Sequence, residues 1–165
     1  MQVVESLVQP FGYGIAFPDW LDVATPAAGA TQTVTVPGEY YYRLVAARLL
    51  ITTDANVANR LVTLDYLNAR GTTYLQNGAG VVVTANTSAQ VFQWDANRTS
   101  GEWAANTPIF APLSSVFLPP AFVIKFNVLN IQAADAISGL RLWVEKFPTG
   151  GRGYPQGAPG VADPV

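Results

Sequence analysis

Phe122-Val-Ile-Lys-Phe-Asn-Val-Leu129 puts an apolar side chain at every second position: Phe122, Ile124, Phe126 and Val128 share one face, and Lys125 and Asn127 take the other. Successive side chains of an extended chain point to opposite sides, so this period marks a strand buried on one face. The pattern recurs. Leu140, Leu142 and Val144 alternate with Arg141, Trp143 and Glu145, and Val62, Leu64 and Tyr66 alternate with Thr63 and Asp65. Gln32, Val34 and Val36 alternate with Thr31, Thr33 and Thr35 before Pro37-Gly38 turns the chain.

Tyr40 to Thr53 departs from strict alternation, which would put Arg43 and Arg48 on opposite faces. A β-bulge near Ala46-Ala47, or a bend between sheets, is expected to bring both arginines to the solvent side. Further strands are expected around Tyr74, Val81–Val83, Ala89–Trp94 and Ile109–Phe117. Asp54-Ala-Asn-Val-Ala-Asn59 and Asn77-Gly-Ala-Gly80 read as loops between strands, since Asp and Asn satisfy local backbone groups. Thr53-Asp54-Ala55 and Ala134-Asp135-Ala136 form a weak echo of strand, Asp-Ala turn, strand. The sum is an all-β chain: an antiparallel β-sandwich, jelly-roll-like, of seven to nine strands with extended N- and C-terminal segments.

The expected organisation is an N-terminal arm over residues 1–29, the sandwich over 30–147 and a Gly/Pro-rich tail over 148–165. Pro10, Gly12, Gly14, Pro18 and Pro26 interrupt the arm, leaving room for one helical turn over Asp19–Asp22. The tail cannot pack a core of its own. It is either a disordered end or an arm along a neighbouring subunit, for which Arg152 and Tyr154 would be the only strong anchors.

The chain has 165 residues, no cysteine and no histidine. Disulfides, thiolate nucleophiles and cysteine zinc sites are thereby excluded, along with the usual general base near neutral pH. Charged residues make up 12% of the chain and the net charge is −2, without a basic run to follow a phosphate backbone, so no nucleic-acid partner is expected. No apolar window reaches membrane-spanning length, and Met1–Pro10 lacks a basic signal-peptide start. Neither a membrane partner nor a cofactor is expected. A surface so poor in charge suits a subunit partly buried in an assembly.

Val36-Pro-Gly-Glu-Tyr-Tyr-Tyr-Arg-Leu-Val-Ala-Ala-Arg-Leu-Leu-Ile-Thr-Thr-Asp-Ala-Asn-Val-Ala-Asn-Arg60, Leu118-Pro-Pro-Ala-Phe-Val-Ile-Lys125 and Leu140-Arg-Leu-Trp-Val-Glu145 together resemble small β-sandwich virion proteins of tailed bacteriophages. Several of those decorate the head. The resemblance covers about residues 30–147 and is one of turns and strand edges, with no catalytic signature. It implies a structural virion protein, a capsid decoration or cement protein assembled in the host cytoplasm onto the capsid surface. The major capsid protein would be its partner, and it would associate with itself, with a trimer as the leading arrangement. The alternative is a receptor- or carbohydrate-binding module of a tail or head fibre.

Catalysis would need paired carboxylates from among Glu39, Asp65, Glu102 and Glu145. Alternation puts Asp65 and Glu145 on outward faces, where solvated carboxylates are the norm, and no enzyme is expected. Asp54-x-Asn56-x-x-Asn59 lacks the glycine and terminal Glu of a calcium loop and reads as an Asx-rich turn, so no metal is expected. Asn86-Thr-Ser and Asn97-Arg-Thr match the glycosylation pattern, which arises by accident in a chain rich in Thr and Asn. The aromatics carry more information. Phe11, Tyr13, Trp20, Tyr41, Trp94, Trp103, Trp143 and Tyr154 are the interface candidates. They either meet a partner, stack against sugars, or pack beneath the N-terminal segment or a second sheet.

Overall fold

The computed structural model describes residues 16–97 and 108–149, and they are built of strands. In chain order these are β1 (Phe17–Asp22), β2 (Gln32–Thr35), β3 (Tyr40–Thr52), β4 (Arg60–Leu67), β5 (Thr73–Val83), β6 (Gln90–Asp95), β7 (Ile109–Pro112), β8 (Phe117–Leu118), β9 (Val123–Leu129) and β10 (Ala136–Pro148). One sheet runs β1-β10-β3-β6-β7, with β8 paired to β3, and the other runs β2-β9-β4-β5. Two four-stranded sheets ordered β1-β10-β3-β6 and β2-β9-β4-β5 are the double Greek key of a jelly roll. β7 and β8 lie in the long connection between β6 and β9. The β6–β7 pairing is parallel and the other pairings are antiparallel.

The expected sandwich is present, with ten strands among the described residues instead of seven to nine, because the β6–β9 connection adds the short β7 and β8. Three local expectations are corrected. Asp19–Asp22 is not a helical turn but part of β1, paired residue for residue with β10 from Phe17↔Lys146 to Asp22↔Arg141. Strand pairing along a neighbour satisfies more backbone groups than one isolated turn can. Asn77–Gly80 does not join two strands; it lies inside β5, where Gly80 at φ +70° absorbs an irregularity opposite β4. Thr63 and Asp65, read as solvated, are buried in the middle of the β2-β9-β4-β5 sheet. Asp65 lies between Gln76 and Lys125 in register, and its Oδ2 accepts a hydrogen bond from Asn127 Nδ2 at 2.8 Å.

Between the sheets lie Leu44, Leu49, Ile51, Leu64, Tyr66, Phe92, Trp94, Ile124, Phe126, Leu142 and Val144, drawn from both inner faces. The expected bulge in β3 is real. Trp143 pairs with Ala46 and Val144 with Leu44, so Val45 is the extra residue. Tyr42 and Leu44 point inward before it, Ala47, Leu49 and Ile51 after it, and Arg43 and Arg48 both face out. A second bulge lies in β10. Ser138 pairs with Leu50 and Arg141 with Arg48, so β10 gains a residue around Gly139, whose φ is +57°. A glycine in the left-handed region is the usual device for such a bulge.

Candidate functional site

At one end of the sandwich the loops 23–31, 53–59, 84–89 and 130–135 are tied together around Arg60. Its guanidinium is withdrawn from water, and all five donors are used. Nε donates to Asp135 Oδ2 at 2.9 Å and Nη2 to Asp135 Oδ1 at 2.9 Å and Asp54 Oδ1 at 2.6 Å. Nη1 donates to the carbonyls of Asn56 at 2.8 Å and Ala58 at 3.1 Å. Asp135 also accepts the backbone N–H of Asp54 and of Gln132. Burial pushes the Asp135 carboxyl up, but the Arg60 bonds and those two N–H groups outweigh it and hold the group below the ordinary carboxylate range. The bond to Asp135 in turn raises Arg60 further.

The two aspartates of the sequence echo therefore meet on one cation, which sequence reasoning missed. The Asp54–Asn59 loop is the expected Asx turn: Asp54 Oδ1 accepts the Asn56 N–H at 3.0 Å, and the same carboxylate faces Arg60. This end is a structural clamp. Thr53 extends it to the 84–89 loop through Oγ1, donating to the Thr84 carbonyl and accepting the Thr87 N–H.

The outer face of the β1-β10-β3-β6 sheet carries a different cluster. Trp20 and Trp143, partners across β1 and β10, stack with centroids 5.3 Å apart and planes at 19°. They remain 59% and 38% exposed, which sets them apart from the other described tryptophan. Trp94 is fully buried between the sheets, and its Nε1 donates to the Asn77 carbonyl at 3.2 Å. As an interface candidate Trp94 is thereby corrected to a core residue; its period-two relation to buried Phe92 was the signal. Tyr41 lies half-buried on the outward side of β3, opposite Phe147. Phe11, Tyr13, Trp103 and Tyr154 lie outside the described residues.

Neither a scan against protein-family models nor a search of the curated proteins gives a match.

Charged residues frame the tryptophan pair. Arg141 Nε donates to Asp22 Oδ1 at 2.8 Å on one side, and Arg43 pairs with Glu145 on the other. Arg48 is the register partner of Arg141 on the next strand, and both point outward. The opposite outer face, on the second sheet, carries an apolar bar: Val82, Leu61 and Leu129 are register neighbours across β5, β4 and β9 and are 44%, 39% and 41% exposed. Asp65 and Glu145 thus belong to different sheets and do not converge. Glu39 sits in the β2–β3 turn, and Glu102 lies outside the described residues.

Proposed function

We propose that this chain is a structural virion protein, a capsid decoration or cement protein that binds the phage head surface and bridges its subunits without chemistry. The observation that carries the reading is the placement of exposed hydrophobics on both outer faces of a jelly roll that is poor in charged residues. Trp20 and Trp143 occupy one face and Val82, Leu61 and Leu129 the other. Apolar surface on opposite faces fits a subunit with neighbours on two sides. The jelly roll is an architecture used by viral capsid proteins, and also by lectins and cupins, so fold alone does not make the choice.

In this reading the partners are the major capsid protein and further copies of the chain, a trimer being the leading arrangement. Each stable contact would bury about 1,200–2,000 Å². Repetition over a symmetric shell would turn modest single-contact affinity into firm retention. The test is cosedimentation of the purified protein with intact and undecorated capsids. Saturation at a copy number comparable to that of the capsid subunits supports the reading. Binding of only a few copies, or none, overturns it.

A further inference from the structure

The two bulges act on the same patch. The one in β3 turns Arg48 outward, and the one in β10 lies just before Arg141, which the alternation of that strand faces outward opposite Arg48. Like charges facing each other across antiparallel strands, with Cβ atoms about 4.5–5.5 Å apart, destabilise a sheet. Asp22, itself largely exposed, pairs with Arg141, and Asp95 stands diagonal to Arg48 as the register partner of Ala46 on β6, but no ion pair to Arg48 occurs among the described residues. Next to this pair of arginines stand the stacked rings of Trp20 and Trp143, and beyond Trp143 the register neighbour on β3 is the small side chain of Ala46. Bulges that re-aim side chains are over-represented at functional sites.

From this juxtaposition we infer an anionic-saccharide site on the outer face of the β1-β10-β3-β6 sheet, where a sugar ring packs on the Trp20–Trp143 pair and its carboxylate bridges Arg48 and Arg141. Stacking occupies one face of each indole and leaves apolar ring surface for the C–H face of a pyranose. A guanidinium holds a planar carboxylate through two parallel N–H···O bonds, which a neutral sugar cannot accept with the same strength. Gln93, the register neighbour of Arg48 on β6, lies at the same level of the sheet and offers an amide to a ring hydroxyl. On the free chain this face is open, so saccharide binding is testable without a capsid, and a neighbour seated on the tryptophans would compete with it.

Isothermal titration of the full chain with trigalacturonate, maltotriose and sodium acetate is the test. Saturable binding of trigalacturonate, weakened by salt and well above that of maltotriose or acetate, is the expected result. Arg48→Gln and Trp143→Ala should each weaken it about tenfold or more, the size of a lost charge-assisted bond. Circular dichroism and the melting temperature of Arg48→Gln should stay near wild type. Absence of saturable trigalacturonate binding overturns the inference. So does equal binding of maltotriose, equal binding of acetate, or full retention of affinity in a folded Arg48→Gln protein.

Discussion

The Arg60 guanidinium is among the deepest groups in the molecule, and it is tolerable there because none of its N–H donors lacks an acceptor. Removing one partner from such a network leaves a buried charge uncompensated. Asp135→Asn is therefore expected to lower unfolding free energy by about 3–5 kcal/mol, read as a shift in the urea midpoint. The same carboxyl gives a pH dependence. Because it is held below its ordinary value, the unfolded chain binds its proton more readily than the folded one. Its contribution is complete above the ordinary carboxylate range near about pH 4 and is lost as pH falls through the depressed folded value. A urea series carried down to about pH 2 should show a steeper acid loss in wild type than in Asp135→Asn. Ala121 offers the opposite case. It is exposed and sits at φ +66°, where an L side chain is strained. Ala121→Gly should raise stability by up to about 1 kcal/mol in the same assay.

Strand edges are the weak points of a sandwich, and each terminal strand here has its own protection. β1 carries Pro18 and the charges of Asp19 and Asp22, β2 is four residues long, and β7 is four residues long and ends at Pro112. β5 is long and uncharged, but its pairing with β4 is broken between Leu61 and Thr63 and between Tyr66 and Leu67. A bent edge is a poor template for a further strand. Association is thus expected through faces, not edges. The bulges that shape those faces depend on single residues. A Cβ at Gly139 would lie 2.5 Å from Leu50 Cδ1, on a backbone already at φ +57°. Gly139→Val should cost about 2 kcal/mol, visible as a lower melting temperature.

Across the whole molecule, β1 and β10 pair although they stand at opposite ends of the described chain, and β2 pairs with β9. Such closure fixes long loops before any contact rewards it. Refolding after a jump out of denaturant should accordingly take from milliseconds to seconds, as stopped-flow fluorescence would show. The two apolar faces also make a prediction at this scale. Leu61 is exposed at the centre of the bar formed with Val82 and Leu129. Leu61→Lys should leave the melting temperature nearly unchanged while reducing the copies retained in capsid cosedimentation.

Much of this was legible in the sequence, and the limit falls at a definite place. Period-two alternation determined the strand faces of β2, β4, β9 and β10, because side-chain direction in a strand is a local property of the backbone. It also located the β3 bulge, since two arginines on opposite faces were incompatible with one buried side. Composition excluded cysteine and histidine chemistry outright. Alternation says that two faces differ but not what covers each. Hence Asp65 and Thr63, on the nominally wet side of β4, became buried once β5 and β9 flanked them. Hence also Trp94 entered the core and Trp20 became the stacking partner of Trp143. Arg60 could not be read as the hub of a clamp, because its partners Asp54 and Asp135 come from different loops and meet only when both sheets are formed. The sequence by itself determined the all-β class and the inward faces of its regularly alternating strands. Tertiary structure alone decided which polar groups lost water and which aromatics kept it, because burial depends on neighbours that are distant in the chain.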